Sequence, residues 1–86
     1  MDTPKQANRR AAAIRKIIGA LIGGRHLSLY DQPEFEVSEM HTCFCNIRKM
    51  IWDGKITGYV MVDEWRTTPD GIRYKEYWFE PTDGEN

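Results

Sequence analysis

The tetrad Thr68-Pro69-Asp70-Gly71 stands between two runs rich in β-branched and aromatic residues, Lys55 to Thr67 and Ile72 to Pro81. Proline, aspartate and glycine each stand at a position that a type I turn favours. The last third of the chain is therefore expected to be a β-hairpin. Turn chemistry leaves two registers to compare. A three-residue loop, Pro69 to Gly71, sets Glu64 opposite Glu76 and Trp65 opposite Lys75. A four-residue loop sets Glu64 opposite Lys75, Trp65 opposite Tyr74, Val62 opposite Tyr77 and Val60 opposite Phe79. Each cross-strand pair is worth about 0.2–1 kcal/mol and like charges repel, so the second register is expected. It assigns Val60, Val62, Tyr77 and Phe79 to the core. Tyr59, Met61, Trp65, Tyr74 and Trp78 then share the opposite face.

Two amphipathic helices precede the hairpin. Pro4 to Ile22 carries Ile14, Ile17, Ile18, Leu21 and Ile22 at helical spacing, with Thr3, Pro4 and Gln6 as its starting signals and Gly23-Gly24 as its stop. Glu39 to Asp53 carries Met40, Cys43, Phe44, Ile47, Met50 and Ile51 on one stripe, with Ser38 as its expected cap and Gly54 as its stop. At 100° per residue, its opposite face presents Thr42, Cys45, Lys49 and Trp52, flanked by His41, Asn46 and Arg48. Between the helices, His26 to Tyr30 alternates like a short strand. Asp31-Gln32-Pro33-Glu34 has the makings of a single helical turn over about Gln32 to Glu36. The expected class is α+β: two main helices, a short helical turn, and a C-terminal two- to three-stranded antiparallel sheet.

Charge is distributed unevenly along the 86 residues. Residues 1–25 hold six basic side chains against one acid, and residues 26–54 hold two against five. The sequence pI of about 6.1 lies far below the value above about 9 typical of strong nucleic-acid binders. Tight non-specific DNA binding is thereby disfavoured, while a basic cluster on one face remains open. The length allows one small domain over residues 1–86, with ragged ends near 1–3 and 81–86. The longest apolar-and-glycine run, Ile17 to Gly24, is far short of the roughly 20 residues of a membrane span. No signal-peptide pattern opens the chain, and two cysteines are too few for a disulfide scaffold. A cytoplasmic, non-enzymatic binding protein is the expectation.

His41-x-Cys43-x-Cys45 invites a metal reading, with His26 as a further ligand. Residues two apart on a helix lie about 200° around its axis, so Cys43 and Cys45 point to opposite sides and cannot grip one ion together. Zinc sites also prefer Cys-x₂₋₄-Cys spacing. No metal and no cofactor are expected, and no base or pocket is identifiable for a cysteine nucleophile. Gly23-Gly24 ends a helix rather than opening one, so it is no phosphate loop.

Helix, short connecting segment, helix and long hairpin together resemble a winged helix-turn-helix domain, nearest to the small ones of bacteriophages and prophages. The resemblance runs from Arg9 to Phe79. It is carried by Asn46-Ile47-Arg48-Lys49-Met50-Ile51-Trp52-Asp53-Gly54-Lys55-Ile56 and by Arg73-Tyr74-Lys75-Glu76-Tyr77-Trp78-Phe79, similar to a helix end leading into the wing and to the returning wing strand. The segment before Ser38 departs from the pattern, since Pro33 and the alternation before it allow barely one turn where the family has a full second helix. The resemblance implies that Glu39 to Asp53 is a recognition helix entering the major groove of double-stranded DNA. Thr42, Asn46 and Lys49, flanked by Arg48, would then reach base edges or phosphates, and Arg66, Thr67, Thr68 and Arg73 would meet DNA at the wing tip. It implies a small sequence-specific regulator of transcription or recombination. A reading from a different class is an adaptor or inhibitor that docks a partner protein, or a second copy as a homodimer, on the face of Tyr59, Met61, Trp65, Tyr74 and Trp78.

Overall fold

The computed structural model describes residues 4–82. Helix α1 spans Pro4–Ile22, a 3₁₀ turn covers Leu29–Asp31, α2 spans Gln32–Phe35 and α3 spans Met40–Trp52. Strands β1, Tyr59–Thr67, and β2, Arg73–Pro81, form a two-stranded antiparallel hairpin. Among the described residues the class is α+β, with three helices and one hairpin. No helix among the described residues is long and apolar enough to cross a membrane.

Both long helices end as their glycines dictate. Gly24, at φ +94°, lets the Arg25 and Gly24 N–H groups return to the Ala20 and Leu21 carbonyls, each at 3.0 Å. Gly54, at φ +79°, does the same for Lys55 and Gly54 with Met50 and Ile51, at 2.9 and 3.1 Å. These are paired C-terminal closures that satisfy orphan carbonyls. The cap expected at Thr3 lies outside the described residues. That expected at Ser38 is replaced: Glu39 occupies the N-cap position without a side-chain bond, and the Met40 N–H donates to Gln32 Oε1 at 3.0 Å. A side chain from the preceding helix thus does a local cap's work.

The segment from Arg25 to Val37 holds both the strand and the helical turn, each in short form. Leu27 pairs through both backbone groups with Tyr77, at 2.7 and 2.8 Å, and so adds one residue to the free edge of β2. Ser28 and Asp31 form a reciprocal capping box around the 3₁₀ turn. Glu36 ends α2 in the left-handed conformation, at φ 54°. The core gathers Ile17 and Leu21 of α1, Leu27, Phe35, then Met40, Cys43, Phe44 and Ile47 of α3, and Tyr77 and Phe79 of β2. Phe44 stacks on Tyr77 with ring centroids 4.0 Å apart, joining α3 to the hairpin.

The hairpin adopts the register that charge pairing argues against. Glu64 faces Glu76, Trp65 faces Lys75 and Met61 faces Phe79. The loop is the three-residue one: Gly71, at φ +90°, donates its N–H to the Thr68 carbonyl at 2.9 Å, and the Thr68 N–H meets the Ile72 carbonyl at 2.8 Å. A one-residue slip turns every side chain of a strand over. Val60 is accordingly exposed and Val62 half-buried on the outer face, while Tyr59 and Met61 pack against the core. The assignment of Val60 and Val62 to the core is thus corrected. So is the single aromatic face: Tyr59 and Met61 lie inward, Trp65 lies on their side near the tip, and Tyr74 and Trp78 lie outward. β2 continues through Pro81, and the Thr82 N–H donates to the Gly58 carbonyl at 3.0 Å. Asp83 to Asn86 lie outside the described residues.

Candidate nucleic-acid interface

The apolar stripe of α3 is spent on the core, and this decides which side faces out. Met40, Cys43, Phe44 and Ile47 are buried, so His41, Cys45, Lys49 and Trp52 form the exposed stripe, with Trp52 81% exposed. Thr42 and Asn46 are half-buried on its flank. Cys43 and Cys45 lie on opposite sides, one buried and one exposed, and both thiols are free. Burial pushes the Cys43 thiol pKa up. The Cys45 Sγ instead sits 3.6 Å from His41 Nε2, one helical turn away.

The basic residues singled out from the sequence fall into two groups. Arg48 donates to Asp63 Oδ2 at 2.6 Å, and its guanidinium holds that carboxyl below its usual range. Arg66 bridges the facing pair, with Nη1 2.7 Å from Glu64 Oε1 and Nε donating to Glu76 Oε1 at 3.1 Å. These two arginines are therefore neutralised within the fold. Among the described residues, Lys49 and Arg73 have no carboxylate partner. Arg73 lies over the Trp65 ring at 4.7 Å from its centroid, on the exposed end of the hairpin.

The arrangement around Glu76 was not readable from composition or spacing. His26 Nδ1 lies 3.1 Å from Glu76 Oε1, and the His26 ring stacks on Trp78 at 4.4 Å and 7°. Burial raises the Glu76 carboxyl, yet the bonds from His26 and Arg66 more than offset this and leave it below its usual value. Only the alternation at His26 hinted that its side chain would meet a strand, and the partner is 50 residues away.

Thr42, Asn46 and Lys49 are thus brought together on one accessible side of α3. Arg73 and Arg66 sit on the ribbon beyond, and Arg48 turns toward Asp63 in the middle of β1. Chemically, the α3 surface offers an amide, a hydroxyl and a cation within about two helical turns. These groups make hydrogen bonds and neutralise anions. The architecture defines a class, a small α+β domain of three helices and a hairpin. Beyond that class, the chain matches no protein-family model, no curated protein and no solved structure.

Proposed function

We propose that this chain is a winged helix-turn-helix domain of the phage or prophage type. It acts in the cytoplasm as a small sequence-specific regulator of transcription or recombination, by occupying double-stranded DNA without catalysis. The observation that carries the reading is the outward, polar side of α3 beside an exposed hairpin end, while the whole apolar side of α3 is committed to the core. The order of elements supports it as well: helix, one-residue bridge at Leu27, short helix, long helix, hairpin. Asn46 suits an adenine edge, Thr42 reads either a base or a phosphate, and Lys49 and Arg73 neutralise phosphates.

Because Arg48 and Arg66 are occupied by Asp63, Glu64 and Glu76, only Lys49 and Arg73 of the four cations assigned to DNA remain to release counterions. With about two phosphate contacts, the logarithm of affinity should fall against the logarithm of salt with a slope of roughly −2. The test is a gel-shift selection against random duplexes at two salt concentrations, repeated with Asn46→Ala combined with Lys49→Ala. The double variant should lose at least about tenfold in affinity with an unchanged circular dichroism spectrum, since a base-reading amide alone is worth about 1–3 kcal/mol. Equal binding by the wild type and the double variant sinks the reading. The adaptor or homodimer alternative has no single docking face of five side chains, since Tyr59, Met61 and Trp65 lie on one side of the ribbon and Tyr74 and Trp78 on the other.

A further inference from the structure

A groove of about 430 Å³ opens between the 3₁₀ turn, the start of α3 and the hairpin. Its volume falls within the range of about 300–1,000 Å³ typical of small-molecule sites. Aromatic rings dominate its lining. Tyr77 is buried, Tyr30 and Trp65 are 60% and 55% exposed, and Tyr74 meets Tyr30 edge to face at 5.2 Å. Leu29, 47% exposed, adds apolar surface, and His41 closes the end at α3. Exposed apolar side chains converging on one concavity mark an interaction site more strongly than the same residues scattered.

The charge of the lining selects among ligands. Arg73 and Lys75 lie 4.7 and 5.1 Å from the Trp65 ring centroid, so cation–π attraction holds both cations at the groove. No carboxylate lines it. The acid nearest Lys75 is Asp63, 4.0 Å away, and Asp63 is already held by Arg48 at 2.6 Å. Two positive charges therefore face an aromatic cavity with little internal compensation. Carboxylates and phosphates match guanidinium and ammonium donors, and planar rings match Trp and Tyr walls.

We propose that this groove binds a planar aromatic anion, its ring among Tyr30, Trp65 and Tyr74 and its negative group on Arg73 and Lys75. Binding here does not depend on the DNA-binding reading. The same chemistry comes from a free aromatic acid or from a nucleoside monophosphate, and the probes separate the two.

The test titrates the full chain with 2-naphthoate, with its uncharged carboxamide and with dAMP, followed by calorimetry and by amide and indole NMR shifts. Saturable binding of 2-naphthoate or dAMP with a Kd of about 1 mM or tighter is expected. Shifts should concentrate at Tyr30, Trp65 and Tyr74 and leave the indole of Trp52 unmoved. Tighter binding of 2-naphthoate than dAMP assigns the site to an aromatic acid, and the reverse order assigns it to a nucleotide. Arg73→Gln with Lys75→Gln should weaken the anion at least about tenfold and leave the carboxamide unchanged, and Trp65→Leu should weaken both. Carboxamide binding as tight as naphthoate, shifts at Trp52 equal to those in the groove, or no saturation by either anion overturns the proposal.

Discussion

On the inner side of the hairpin, Tyr77 and Phe79 are buried and Tyr59 stacks on Phe79 at 5.4 Å, so burial of apolar area holds that face to the helices. The outer side has a different basis. There Glu64 faces Glu76 and neither is deeply covered, and the face is held by Arg66 between them, by His26 stacked on Trp78, and by Tyr30 against Tyr74. The difference teaches why the register runs against the simple pairing rule. A like-charge pair costs at most about 1 kcal/mol and a bridging arginine offsets it. Turning Tyr59 and Met61 away from the core would lose more, because both are half-buried against it and half of the about 1.5–3 kcal/mol for full burial, taken over the two together, exceeds that cost.

The comparison is broken most directly on the buried side. Phe79→Ala should cost about 3–5 kcal/mol in urea unfolding, a large part of the roughly 5–15 kcal/mol available to a small domain. A loss below about 1 kcal/mol would mean that the inner face is not what holds the ribbon. On the outer face, Arg66→Ala leaves the two glutamates facing each other and should cost about 1 kcal/mol. Adding Glu76→Gln to that variant should restore most of the loss, and a double-mutant cycle measures the recovery. Gly71→Ala touches neither face yet forces an L residue to φ +90°, and should cost about 1 kcal/mol in the same assay.

Acid should act through one carboxylate on each side of the ribbon, Asp63 beside Tyr77 on the inner side and Glu76 on the outer. Asp63 and Glu76 have folded-state pKa values below their ordinary 3.8 and 4.5, so the unfolded chain binds protons first as pH drops. Their contribution is complete above those ordinary values and is lost as pH falls through the lower folded-state values. Asp63→Asn with Glu76→Gln should flatten the acid limb of a stability–pH curve measured by urea midpoints. The smallest effect is expected at Val60, which is 43% exposed. Val60→Ala should change stability by less than about 0.5 kcal/mol, as for most surface sites. A cost of about 2 kcal/mol would instead favour the register in which Val60 is core.

Much of the fold was readable in advance where a signal is local. The stripes of α1 and α3, the glycine stops at Gly24 and Gly54, and the turn at Thr68–Gly71 all concern residues within a few positions of one another. The outward side of α3 followed from the same periodicity, which is why Thr42, Asn46 and Lys49 were identified together. The cap of α3 departs from the Ser38 cap its sequence suggests because Gln32, eight residues before Met40, supplies the accepting oxygen. The sequence offers Arg48 and Arg66 as DNA contacts because their carboxylates become neighbours only after the hairpin meets α3 and folds on itself. The aromatic and cationic groove has no local signature for the same reason, since its lining comes from separate stretches of chain.

Periodicity and turn chemistry by themselves determined the class, the two long helices, the hairpin and the solvent side of α3, because each depends on the backbone geometry of a short run. The strand register, the neutralised arginines and the third edge at Leu27 were decided only when distant segments met. Two nearly balanced local pairings differ there by less than the energy of burying Tyr59 and Met61, and that burial does not exist until the helices stand against the ribbon.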